Sequence, residues 1–299
     1  MSQDHDQTTL NQDLHDQGLL HDLSTLSLQG DRRQALRWVS MLGAAGLVPM
    51  LGIAQAAGSR NRNTRTTTGT TTGTTTGTTT GSSSCPVVNE ETAGPYPGDG
   101  SNTANGSVAN ALMLSGIVRS DIRSSIAGAT GVANGVPVKV IIKLVNTNAS
   151  CASLAGYAIY LWHCDAQGRY SMYSSGVTGE NYLRGVQATD STGSVTFQTV
   201  FPGCYSGRMP HMHFEVYRDA NTATSFSNKL KTSQLAFPND VSSAVYNGSS
   251  TYSASVANFA RISFATDNVF SDGVTLEMTS MTGNVTDGYV ATITVAISA

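Results

Sequence analysis

The chain has 299 residues, a formal net charge of −3 and 12% charged residues. Its lysines, Lys139, Lys143, Lys229 and Lys231, are too few and too scattered to build a basic face, which excludes nucleic acid as an expected partner. Its four cysteines, Cys85, Cys151, Cys164 and Cys204, all fall at or after residue 85, and the sequence before that point is not globular in composition.

Met1 to Gly30 is polar, and Asp31-Arg32-Arg33-Gln34-Ala35-Leu36-Arg37 then precedes an apolar run from Trp38 to Ile53. That run is short against the roughly 20 residues a membrane span needs. It ends in Ala54-Gln55-Ala56-Ala57, a small-residue cleavage pattern. Residues 1–57 therefore read as a twin-arginine export signal, with a retained anchor as the alternative. The expected location is periplasmic or extracellular, with no stable membrane insertion after cleavage. Residues 58–84 hold a Thr-Thr-Thr-Gly repeat, which has no large apolar groups to offset its ordering entropy. It reads as a disordered linker, with a functional surface repeat as the alternative. Residues 85–299 contain no second linker and are expected to form one domain.

From there the pattern is β. Val136 to Val145 places Val138, Val140, Ile142 and Leu144 on one face. Strands are also expected over Tyr157–Trp162, Ser194–Val200, His211–Tyr217 and Tyr289–Ile297. In the fourth, Met212, Phe214 and Val216 share a core face, and His211, His213, Glu215 and Tyr217 share the other. Phe237–Tyr246 is the expected short helix, with Asp240 as N-cap. Short strands between Gly- and Asn-rich turns indicate a mostly β protein, a β-sandwich.

An even cysteine count in an exported domain suggests disulfides. Cys85–Cys151 and Cys164–Cys204 are the favoured pairs, the second because it flanks two tyrosines; buried free thiols are the alternative.

His211 and His213 stand at i and i+2, which on a strand aims both rings the same way. Alone, that pair fits a solvent-facing polar stripe as well as a metal. Tyr205 sits in a Pro-Gly-Cys-Tyr turn six residues before His211, and Tyr170 follows a similar Asp165-Ala-Gln-Gly turn. A tyrosine ligand must give up a proton with a reference pKa near 10, and Fe(III) is the kind of Lewis acid that makes this possible at neutral pH. Zinc prefers His, Cys or carboxylate, and Cys204 keeps a copper site open as a lesser option.

Three segments carry a resemblance to a known family: Leu161 to Ser171, Tyr182 to Gln187, and Phe201-Pro-Gly-Cys-Tyr-Ser-Gly-Arg-Met-Pro-His-Met-His-Phe214. They resemble the intradiol ring-cleavage dioxygenases, which include catechol 1,2-dioxygenase and the protocatechuate 3,4-dioxygenase β-subunit. Glu91-Thr-Ala-Gly-Pro-Tyr96 and Lys231-Thr-Ser-Gln-Leu-Ala-Phe-Pro238 resemble further family segments in the same order. The resemblance implies a β-sandwich holding one non-haem Fe(III) through Tyr170, Tyr205, His211 and His213. It implies an aromatic diol and O2 as reactants and a cis,cis-muconate as product, without a reducing cofactor. Tyr205 would also act as a base, Arg208 would stabilise developing negative charge, and Gln234 would be the active-site glutamine. Pro95 and Tyr96 would lie near the pocket mouth.

The chain departs from the family in three places. It has no counterpart of the helical N-terminal dimerisation segment, so any dimer must use another surface. A Thr/Ser/Asn-rich insertion, residues 221–228, separates His213 from Gln234. No residue carries over beyond about Tyr246. A non-catalytic β-sandwich binding module is the competing reading, although it would be expected to lose at least one ligand.

Overall fold

A computed structural model describes residues 85–299. The expected signal at 1–57 and the expected disordered linker at 58–84 lie outside the described residues. After an extended lead come strands β1 (Asp99–Ala104), β2 (Ser107–Asn110), β3 (Pro137–Asn146), β4 (Ala152–Ser153), β5 (Ala158–Trp162) and β6 (Arg184–Ala188). Then follow β7 (Ser194–Val200), β8 (His211–Tyr217), β9 (Lys229–Ala236), helices α1 (Asn239–Gly248) and α2 (Ser253–Phe259), β10 (Ser280–Asn284) and β11 (Gly288–Ile297).

β1 and β2 form a small hairpin, and two larger sheets form the sandwich. One runs β10-β11-β3-β4, with β7 also paired to β3; the other runs β6-β5-β8-β9 and is antiparallel throughout. β11 pairs with β3 in parallel, from Tyr289 opposite Val138 to Ile297 opposite Asn146. The expected alternation explains the core between the sheets. Val138, Val140, Ile142 and Leu144 of β3 join Met212, Phe214 and Val216 of β8 and Phe197 of β7 in one buried cluster.

The outer face of the second sheet is not solvent. Tyr160 and Trp162 of β5 and Tyr217 of β8 pack there with Ala111, Leu112 and Tyr170. Every residue of β8 is buried, so its polar face is an interior surface. That face positions the site.

The helix expected over Phe237–Tyr246 begins two residues later. Asp240 is not its N-cap: Pro238 occupies that position without a side-chain cap, and Asp240 lies in the first turn, where its charge complements the helix dipole. Among the described residues no helix is long and apolar enough to cross a membrane.

Candidate metal and catalytic site

β8 aims His211 and His213 at one point, with their Nε2 atoms 3.1 Å apart. The Tyr170 hydroxyl lies 3.4 Å from His211 Nε2 and 3.3 Å from His213 Nε2, and the Tyr205 hydroxyl lies 3.2 Å from His211 Nε2. The four residues named from the sequence thus converge.

Local contacts fix how the imidazoles present themselves. His211 Nδ1 lies 2.6 Å from the Met209 carbonyl, which can only accept, so Nδ1 carries the hydrogen and Nε2 turns a lone pair to the cluster. His213 stacks on Trp162, with ring centroids 5.0 Å apart and planes 7° from parallel. Its Nδ1 makes no hydrogen bond of normal geometry; the Thr92 carbonyl is near enough only to favour a proton there. Burial first, and then the Arg208 charge, push both imidazoles well below their ordinary pKa, so both are neutral. Burial first, and then Tyr205, push the Tyr170 phenol well above its ordinary value.

The result is a set of two neutral imidazoles and two phenols turned toward one point, buried except at the half-buried Tyr205. Donors bonded to one ion at about 2.0–2.1 Å stand about 2.9–3.4 Å apart, which is the spacing found here. Among the described residues no group of three or more His, Cys, Asp or Glu forms a metal site. The cluster instead mixes imidazoles with phenols, a donor set that fits a hard trivalent ion able to displace the phenol protons.

The tyrosines ride on two turns that touch. Asp165 Oδ1 accepts from the backbone of Gln167 and Arg169, and its Oδ2 accepts from Arg169 Nε and the Tyr182 hydroxyl. Gly168 has a φ of +80°, and a Cβ there would stand 3.0 Å from the Cβ of Tyr205. A Cβ on Gly203 would meet the Asp165 carbonyl at 2.7 Å. Glycine contact therefore joins the two turns, and not the disulfide expected between Cys164 and Cys204. Both of those thiols are free and buried. Cys164 packs on the outer side of its sheet and donates to the Gly203 carbonyl, whereas Cys204 packs into the inter-sheet core and donates to the Arg208 carbonyl. Burial, with Asp267 nearby, pushes the Cys204 thiol up to about 12. The other expected pair, Cys85–Cys151, is bonded.

Arg208 is 1% exposed. Its Nε contacts both oxygens of Asp267 at 3.1 Å, and its Nη2 donates to Gln234 Oε1 at 2.7 Å. Gln234 stands opposite His213 in the β8–β9 register and donates to the Thr92 carbonyl. The insertion before it closes on itself, with Asp219 and the Thr222 carbonyl accepting from Asn221, Thr222 and Asn228, and the one register shift of the β8–β9 ladder, between Val216 and Tyr217, falls at its end, so Gln234 still pairs with His213. Tyr96 packs against Tyr170 and Tyr173 at 5.0 and 5.3 Å. Buried Arg184 holds it there by donating to the carbonyls of Tyr96, Pro97 and Ser171.

Sequence reasoning passed over Trp162, Arg184 and Asp267. Trp162 and Arg184 stand inside the resembling segments without a role of their own, and Asp267 lies beyond those segments without a motif. A groove of about 610 Å³ beside Cys85, Ile141 and Thr294 contains none of the site residues.

Comparison with known proteins agrees with this architecture. The Dioxygenase family model, Dioxygenase_C, matches residues 124–268, a span that includes both tyrosines, both histidines, Arg208, Gln234 and Asp267. No curated protein matches the chain. An intradiol ring-cleavage dioxygenase from Tetranychus urticae is 23% identical over 72% of this chain and 95% of its own, with a TM-score of 0.54. The dioxygenase domain of a dioxygenase carbohydrate-binding protein fusion from Streptomyces sp. SirexAA-E is 20% identical over 71% of this chain and 99% of its own, at a TM-score of 0.43. Catechol 1,2-dioxygenase from Pseudomonas arvilla C-1 is 17% identical over 70% and 61%, at 0.41. The chain thus matches the Dioxygenase family model in sequence over residues 124–268 and resembles an intradiol ring-cleavage dioxygenase in fold over most of the described chain.

Proposed function

We propose that this chain is a non-haem Fe(III) dioxygenase that opens a catechol ring between its two oxygen-bearing carbons, with Tyr170, Tyr205, His211 and His213 holding the ion. The observation that carries the reading is the convergence of two phenols and two neutral imidazoles at 3.1–3.4 Å in one buried cluster. Fe(III) bound there would supply Lewis acidity toward the catechol oxygens and draw electron density from the ring toward O2. Tyr170, fully buried, serves as a fixed donor. Tyr205 is half-buried, so its phenolic oxygen can take a proton from an incoming catechol hydroxyl. Arg208 offers a fixed cation to the negative charge that develops on the substrate, and Gln234 fixes the guanidinium from the β9 side. Both atoms of O2 enter the product, so catechol plus O2 balances to a cis,cis-muconate with no reductant.

The proposal includes the domain plan of signal, linker and exported catalytic domain, with work done in the periplasm or outside the cell. The Cys85–Cys151 bridge supports it, because such a bond persists in an oxidising compartment.

One preparation tests both parts. The purified protein is expected to contain one iron per chain, to show a broad visible tyrosinate band, and to take up O2 on a panel of catechol, hydroxyquinol, protocatechuate and alkylcatechols with muconate-type products. Cell fractionation is expected to find it outside the cytoplasm, and Arg32→Lys with Arg33→Lys to trap it inside. A colourless, zinc-loaded protein of full activity overturns the ligand assignment. Absence of O2 uptake on every diol overturns the function, and undiminished secretion of the Lys variant overturns the route.

A further inference from the structure

The guanidinium of Arg208 is held by a carboxylate that reaches beyond it. Asp267 is fully buried, and both of its oxygens stand 3.1 Å from Arg208 Nε. Its Oδ2 also accepts from the backbone of Met209 at 2.6 Å, and its Oδ1 from Val269 at 2.8 Å and Phe270 at 3.2 Å. The same Met209 whose N–H is taken by Asp267 gives its carbonyl to His211 Nδ1. Phe270, seated by this turn, lies 5.6 Å from the guanidinium carbon and 6.3 Å from the His211 ring.

We propose that Asp267 is a positioning residue, which sets the direction in which Arg208 presents its charge to the site. The proposal rests on the function given above. A cation in a buried site is not averaged by water, so its stabilising effect depends on its direction. Gln234 fixes one nitrogen of the guanidinium and Asp267 another, and two such points determine the plane of a rigid fork. Asp267 touches neither His nor Tyr of the metal cluster by any hydrogen bond that the structure shows. Its influence on the site therefore passes through Arg208, and its acceptance from Met209, the one contact that leads toward His211, is one that the carbonyl of an Asn at this position can keep.

The test compares full-length, iron-loaded wild type, Asp267→Asn, Arg208→Ala and the double variant. Each is measured for iron content, for affinity toward 4-nitrocatechol read from that probe's own colour, and for kcat and KM on the best diol. Asp267→Asn is expected to keep its iron and to lose about 10-fold in probe affinity or kcat. In the Arg208→Ala background the same change is expected to add less than about 2-fold, because the group it positions is gone. Equal losses in both backgrounds, or loss of iron, would assign Asp267 a structural role and overturn the proposal. If Asp267→Asn does not fold, Asp267→Ser, whose hydroxyl can still cap Val269, takes its place; failure of both to fold also overturns it. A wild type that binds 4-nitrocatechol but cleaves no diol refutes the proposed reaction, while the affinity cycle still reads the coupling of Asp267 to Arg208.

Discussion

His211 and His213 are held by different means. A 2.6 Å hydrogen bond to the Met209 carbonyl sets one ring, and stacking on Trp162 sets the other. Arg208 lies three residues before the first of them, carries no lone pair for a cation, and belongs to a polar chain through Asp267, Gln234 and Thr92 that meets the histidines only at the backbone of Met209 and Thr92. Metal loading and charge stabilisation should therefore separate by mutation. His211→Ala is expected to lose iron and activity together. Arg208→Ala is expected to keep its iron and lose about 10²–10³ in kcat, and Arg208→Lys to recover little, because an ammonium cannot bond Asp267 and Gln234 as a planar fork does. Iron content and kcat on the same preparations decide the matter, and near-normal kcat in Arg208→Ala would make Arg208 a structural residue. The four converging residues were legible in the sequence because each stands in a short motif with its own reason for being there, an i, i+2 pair on a strand and two Gly-containing turns. Asp267 was not legible. It reaches Arg208 across 59 residues, and no local pattern records a partner that only tertiary folding supplies.

Among the elements, β7 and β8 match the expected spans, since strict alternation of apolar residues marks a strand that packs one face on the core. β1 and β2 are short and polar, and β6 is buried over its first three positions, so none shows that alternation. The lead segment before β1 has no regular structure, yet it delivers Thr92 to Gln234 and Tyr96 to Tyr170. Its start is tied by Cys85–Cys151 across a sequence separation of 66 residues, with a Cα–Cα distance of 5.8 Å. Closing so long a loop restricts the unfolded chain strongly, and a bridge of this kind typically contributes about 2–4 kcal/mol. Replacing both cysteines by serine is expected to lower stability by that amount and to raise proteolysis near residue 85. Because Cys164 and Cys204 are buried and free, a reductant should lower the melting temperature of the wild type and leave that of the double serine variant unchanged. A wild type indifferent to reduction would show that the lead is held by packing alone.

At the scale of the molecule, the sandwich encloses carboxyls that it does not neutralise well. Glu277 is fully buried where the lead crosses the sheet edge, and its partners there are the Ser233 hydroxyl and Glu91. Burial first, then Glu91, raises its pKa from the ordinary 4.5 to about 8. Glu215 rises to about 7, again by burial first and then Asp99, with Lys229 opposing. A carboxyl whose folded pKa lies above its unfolded value binds more protons when folded. Its contribution is therefore fully present below about pH 4.5 and is lost progressively as pH rises through the folded value. These two carboxyls are thus expected to lower stability between about pH 5 and pH 8, while the buried imidazoles of His163, His211 and His213, held neutral by burial, oppose them below about pH 6.5. Glu277→Gln keeps the shape and an acceptor for Ser233 while removing the charge. It is expected to melt several degrees higher than wild type at pH 8, an effect on the order of 1–3 kcal/mol, and to match it near pH 5. Thermal melts of both proteins across that range provide the check. Parallel curves would mean that Glu277 ionises without cost, and that the buried edge beside the lead admits water.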